Sequence, residues 1–97
     1  MAPTTLPEAA AREQLATQPE PVYPPIAKAA RIQGDVVLSI VVDEQGQIVS
    51  EKVVSGPAML QQAALDAVKE WRYRPYMLNG DPVEVETTVN VVFHLQH

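Results

Sequence analysis

Two carboxylates, Glu84 and Glu86, stand two residues apart near the C-terminal end of this 97-residue chain. On a strand they share one face, about 7 Å apart, and paired carboxylates are the groups that glycoside hydrolysis needs. Their neighbours alternate apolar and polar with nothing that builds a cleft, so a solvated strand face is the better reading. His94 and His97 are three residues apart, which on a strand sends them to opposite faces and makes poor metal geometry. Ser39, Ser50 and Ser55 have no His and Asp arranged to activate a nucleophile. Ser55, just before Gly56-Pro57, is expected to cap a helix instead. Gly34, Gly46 and Gly56 are spaced as turn residues and form no phosphate-binding loop. Arg72 and Arg74 flank Tyr73 and offer guanidinium groups, either to the chain's own carboxylates and water or to a partner's carboxylate. No enzyme activity, metal or cofactor is expected from this set.

Composition narrows the classes further. The chain carries 7 Lys plus Arg against 12 Asp plus Glu, a formal charge of −5, and no Cys. A chain this short makes one domain and buries roughly 60–70% of its unfolded surface, without disulfide or thiolate–zinc reinforcement. The negative charge lacks the basic face of a nucleic-acid binder and disfavours anionic membranes. The longest apolar run, Val36 to Val42, is interrupted by Ser39 and falls short of the ~18 residues that span a bilayer. Met1-Ala2-Pro3-Thr4 lacks the charged and apolar regions of a signal peptide.

The elements that must position these residues follow from periodicity. Pro3, Pro7, Pro19, Pro21, Pro24 and Pro25 lie in the first 25 residues. Residues 1–22 are therefore expected to be a Pro/Ala-rich tether, extended or flexible, with at most a frayed helix over Glu8 to Ala16 after Pro7. Residues 23–97 are expected to fold. Pro24-Pro25 opens a short helix through Ile26, Ala29 and Ala30, with Gly34 ending it. Val36, Leu38, Ile40 and Val42 then mark a strand with one apolar face. Asp43-Glu44-Gln45-Gly46 is a hairpin turn. In the second strand, Gln47 to Val54, the apolar phase slips between Ile48 and Val53, so a bulge is expected there. Leu60, Ala64, Ala67, Val68 and Trp71 form the apolar stripe of a helix that Pro75 prevents from continuing. Asn79-Gly80-Asp81-Pro82 is a turn. Val83, Val85, Thr87, Val89, Val91, Phe93 and Leu95 alternate with Glu84, Glu86, Thr88, Asn90, Val92 and His94, which describes a long strand with one buried and one wet face.

The expected architecture is α+β: a three-stranded antiparallel sheet of order 2-1-3, one long helix on one face, and a short N-terminal helix. Strand three then forms an edge with unpaired backbone groups, and natural proteins usually blunt such an edge. Leaving it open suggests that it receives another strand.

The ordered set Tyr23-Pro24, Gly34-Asp35-Val36-Val37, Asp43-Glu44-Gln45-Gly46, Ile48, Ser55-Gly56, Leu60, Ala63-Ala64, Ala67-Val68, Trp71-Arg72-Tyr73-Arg74-Pro75, Gly80 and Val92-Phe93-His94-Leu95 resembles the C-terminal domain of TonB-type energy transducers. The resemblance runs from Tyr23 to Leu95. It implies a periplasmic domain of an inner-membrane-anchored protein, with the anchor absent from this chain. Such a domain grips the TonB box of an outer-membrane transporter by strand addition, and force from inner-membrane motor proteins arrives through the missing anchor. Mapped onto this sequence, the grip falls on Glu84, Glu86, Thr88, Asn90, Val92 and His94 of the edge strand. A second contact falls before the domain at Glu20, Val22 and Tyr23, where a negative Glu20 replaces a neutral amide familiar in the family. Arg72 and Arg74 are possible partner contacts. Trp71, Tyr73, Pro75, Gly34 and Gly46 are expected to be structural. The alternative use of the same edge is pairing with a second copy of the chain or with another protein partner.

Overall fold

The computed structural model describes residues 3–95; His97 lies outside them. The chain builds β1 (Thr4–Thr5), α1 (Glu8–Arg12), β2 (Leu15–Thr17), α2 (Pro25–Ala29), β3 (Gly34–Val42), β4 (Ile48–Ser55), α3 (Ala58–Lys69), β5 (Arg72–Tyr73), β6 (Tyr76–Leu78), β7 (Asp81–Val83) and β8 (Val85–Phe93). The main sheet has four strands in the order β1-β8-β3-β4. Its antiparallel part, β4-β3-β8, has the expected 2-1-3 order. The expected count of three strands is corrected to four, because β1 adds parallel to β8.

Alternation places the core. Val36, Leu38, Ile40 and Val42 of β3 face Val85, Val89, Val91 and Phe93 of β8 across one side of the sheet, and all are buried. Leu60, Ala64 and Val68 of α3 close over them with Trp71 and Tyr73. Each large apolar side chain fully buried here contributes about 1.5–3 kcal/mol.

The phase slip in β4 has its expected cause. Val41 pairs with Ser50 and Val42 with Ile48, so Val49 is bulged out. Ile48, Glu51 and Val53 thereby all turn toward the core side. A second shift, which the sequence pattern did not flag, leaves Val54 unpaired between Val53 and Ser55.

The bulge carries Glu51 inward, where its Oε2 is buried with no hydrogen-bond partner among the described residues. Burial raises the Glu51 pKa; Lys69 opposes the shift and Asp66 adds to it. A raised carboxyl pKa favours the folded state fully below the unfolded carboxylate range, and the benefit is lost as pH rises through the folded value. Glu51→Gln is therefore expected to flatten the fall in stability above the ordinary carboxylate range. Urea midpoints at stepped pH test this, and a slope as steep as that of the unaltered chain would contradict it.

Several local expectations are corrected. The first 22 residues are not simply extended: α1 buries Ala11 in the core, and Leu6 and Leu15 pack against it. The expected short helix forms as α2, with Ile26 70% exposed on it and Ala27 buried. The residue that leaves α2 in the left-handed region is Arg31, with φ 57°, and Ile32 N–H closes the end on Ala27 O at 2.8 Å. Gly34 instead starts β3. Ser55 ends β4 and caps nothing; Pro57 occupies the N-cap of α3 without a side-chain bond. Trp71 lies just past α3, which ends at Lys69. Arg72 Nη1 bonds Lys69 O at 3.0 Å and Trp71 O at 2.8 Å, satisfying carbonyls that the helix end exposes. Asn79-Gly80 proves to be a two-residue hairpin turn, with φ 54° and 86°, joining β6 to β7. The last long strand consequently begins at Val85, not Val83.

Candidate partner-binding edge

The sheet has two long edges of different character. On the β4 side, bulges at Val49 and Val54 and the inward carboxylate of Glu51 disrupt the regular template for another strand. On the other side, β8 runs in unbroken register with β3 from Val85↔Val42 to Phe93↔Gly34. A strand residue points its N–H and C=O to the same side, and the side alternates along the chain. Thr4 N–H donates to Glu84 O and Leu6 N–H to Glu86 O, both at 2.9 Å. The Asn90 N–H donates to Glu8 Oε2, also at 2.9 Å. Even-numbered residues of this strand thus direct their backbone away from β3, and odd-numbered residues direct theirs toward it.

The expected edge residues are therefore brought into one line. Glu86, Thr88, Asn90 and Val92 carry exposed side chains on β8, with His94 exposed just beyond it and Glu84 half-buried before it. Asn90 Nδ2 also donates to Asp35 Oδ2 at 3.1 Å, which fixes the carboxamide on the wet face. The expectation of a wholly open edge is corrected. β1 covers Glu84 to Glu86, and the Glu8 carboxylate sits on the Asn90 amide. Among the described residues, no backbone partner reaches the outward groups of Thr88 and Val92.

The residues ahead of the domain divide. Tyr23 sits at the far end of β8, its ring edge-on to Phe93 with centroids 5.6 Å apart, and its hydroxyl donates to Ile32 O. Glu20 and Val22 are exposed, Val22 by 80%. Arg72 and Arg74 do not join the β8 edge. Arg72 holds the end of α3, and Arg74 Nη2 donates to Glu13 O at 2.5 Å while its N–H donates to Gln14 O at 2.6 Å.

Trp71 and Tyr73 are buried, and Trp71 Nε1 donates to Pro19 O at 3.1 Å. Burial pushes the Tyr73 hydroxyl up to about 12, with the nearby Glu8 charge adding to the shift and Arg12 opposing it. Pro75 follows them as the break before β6. Gly46 lies against Tyr73, whose N–H donates to Gly46 O at 2.9 Å. Sequence reasoning missed Thr4, Leu6 and Glu8 as edge neighbours. Pro7 ahead of a helix-forming run was a readable helix start, but nothing local told where that helix would dock.

Among the described residues no cluster of His, Cys, Asp and Glu suits a metal ion, and no helix is long and apolar enough to cross a membrane.

Residues 19–95 match the family described as Gram-negative bacterial TonB protein C-terminal. Protein TonB of Vibrio cholerae is 34% identical over 84 residues, covering 84% of this chain and 34% of that protein. Protein TonB of Xanthomonas campestris pv. campestris is 36% identical over 77 residues, covering 77% of this chain and 34% of that protein. The chain thus spans about a third of the length of these curated relatives. The solution NMR structure of the Pseudomonas aeruginosa TonB CTD matches with a TM-score of 0.72 at 24% identity, covering 87% of each chain, a likeness of fold. With the matched segment running from just before Tyr23 to Leu95, the chain belongs to the family of TonB C-terminal domains.

Proposed function

We propose that this domain is the periplasmic grip of a TonB-type energy transducer. It takes the TonB box of an outer-membrane transporter as an added strand along β8. The pull of an inner-membrane motor reaches it through parts of the protein outside this chain, and the domain passes that pull to the transporter for substrate uptake. The observation that carries this reading is the regular outward ladder of β8, on which Thr88 and Val92 present unpaired backbone groups beside exposed side chains. Main-chain hydrogen bonds then supply the grip, and Glu86, Thr88, Asn90, Val92 and His94 bias the choice of peptide. Glu20, Val22 and Tyr23, at the entry to the domain, form the secondary contact. The blunted β4 edge supports β8 as the side that receives a strand.

Asn90→Pro tests the proposal. The Asn90 N–H faces away from β3, so removing it leaves the β3–β8 ladder intact. The variant is expected to keep its circular dichroism spectrum and lose most of its affinity for a synthetic TonB-box peptide, as read by fluorescence anisotropy. A folded variant with unchanged affinity would sink strand addition at this edge. The same edge would also serve a second copy of the chain. That reading gains if the mass in sedimentation doubles with concentration and the peptide leaves it unchanged.

A further inference from the structure

We infer that residues 3–12 are a built-in, removable cover of the β8 edge, so that an incoming peptide strand must displace the chain's own N-terminal segment to occupy the whole of it. The inference rests on the proposed strand addition at β8 and adds a competitor to it. The cover holds the edge in the way an added strand would. Thr4 and Leu6 place their N–H groups on Glu84 O and Glu86 O, and the Glu8 carboxylate takes the place of a carbonyl at the Asn90 N–H.

Pro7 sets how far the cover reaches. It has no N–H to donate and it leads directly into α1, so the added strand ends after Leu6. Thr88 and Val92 stay uncovered and form a toehold. A peptide that pairs there first meets only the Glu8 carboxylate at Asn90, and can then advance against β1 rung by rung.

The cover is also built to leave. β1 has two paired residues. The ion pair Arg12–Glu8, at 3.1 Å, is solvent-exposed on the Arg12 side and holds α1 together rather than binding it to the sheet. Below the segment, between Glu8 and Arg12 on one wall and Trp71, Tyr73 and Asn90 on the other, lies a groove of about 300 Å³. The segment's apolar hold on the core is confined to Ala11 and to the partly buried Leu6, and a short strand beside an unfilled groove marks a unit of lower opening free energy than the β3–β8 ladder. The chain beyond the segment is tied down, through Arg74 to Glu13 and Gln14, through the pairing of β2 with β5, and through Trp71 Nε1 to Pro19. The segment can therefore swing off β8 while still tethered beside it. Residues 3–12 lie outside the 19–95 stretch that matches the family.

A cover closed nine-tenths of the time weakens the apparent affinity of a peptide about tenfold. The experiment compares the full chain with two variants: Ala11→Glu, which drives α1 out of the core, and Thr4→Pro/Glu8→Ala, which removes one cover bond and the Asn90 acceptor without touching a buried side chain. Hydrogen exchange reads the Asn90 amide, and isothermal titration reads binding of a synthetic TonB-box peptide. The expected result is a protected Asn90 amide in the unaltered chain, faster exchange in both variants, and peptide binding tighter by about tenfold. Faster exchange with unchanged affinity would overturn the cover while leaving strand addition standing. A freely exchanging Asn90 amide in the unaltered chain would overturn it as well. Peptide binding to none of the three proteins would overturn strand addition itself, and the cover with it.

Discussion

Trp71→Ala is expected to lower stability by about 3–5 kcal/mol. Trp71 is 3% exposed and belongs to the core cluster that joins α3 to the sheet. It also bonds the lead-in, through Nε1 to Pro19 O at 3.1 Å. Truncation leaves a cavity that the short elements around it cannot fill, and it removes the bond that ties Pro19 to the core. Small domains have about 5–15 kcal/mol to lose, so a substantial unfolded fraction near body temperature is expected. Urea unfolding followed by circular dichroism measures the loss. Trp71→Phe separates the two roles, because it keeps most of the apolar contact and gives up only the Pro19 bond, a difference of about 1 kcal/mol. A midpoint unchanged in Trp71→Ala would contradict its place in the core.

Gly46→Ala is expected to cost about 2–4 kcal/mol, from backbone strain and a broken contact together. Gly46 has φ 84°, in the left-handed region, and an added Cβ would fall 1.8 Å from Tyr73 O. The turn cannot retreat cheaply. Asp43 Oδ1 accepts the N–H groups of Gln45 and Gln47 at 2.9 Å each, and Gln47 bridges to Arg72. The Gly46–Tyr73 contact joins the β3–β4 turn to the strand that leaves α3, so the strain is felt by the helix as well as by the hairpin. Thermal unfolding of the variant checks this; a loss below about 1 kcal/mol, the ordinary scale for an exposed glycine position, would contradict it.

What the sequence made legible was set by local period and local turn chemistry. The strict alternation from Val85 to Phe93 located β8 and its two faces, and the mismatch between Ile48 and Val53 required the bulge that occurs at Val49. The misses are of two kinds. Asn79-Gly80 was readable as a turn, but Tyr76–Leu78 and Asp81–Val83 are too short to show a period, so the small hairpin they form was absorbed into a turn and an overlong strand. The lead-in failed for a different reason. Its Pro content is a sound argument for extension in isolation, and Ala11 has no helical stripe to accompany it. Its structure comes from long-range pairing, of Thr4 with Val85 and of Leu15 with Tyr73, which no local pattern encodes. The edge residues Glu86, Thr88, Asn90 and Val92 were legible because an edge strand follows from sheet order. That Arg72 and Arg74 are spent on Lys69, Trp71, Glu13 and Gln14 backbone groups was not, since guanidinium partners depend on the tertiary arrangement.

The central claim is that β8 takes up an extended peptide through its outward backbone. The most direct measurement is an amide-shift titration of the isotopically labelled chain with a synthetic TonB-box peptide. The account predicts saturable shifts along Glu84, Glu86, Thr88, Asn90 and Val92, with accompanying shifts at Thr4, Leu6 and Glu8 as they leave the edge and at Glu20 to Tyr23. Shifts along β4 with β8 silent, or no shifts at peptide excess, would contradict it.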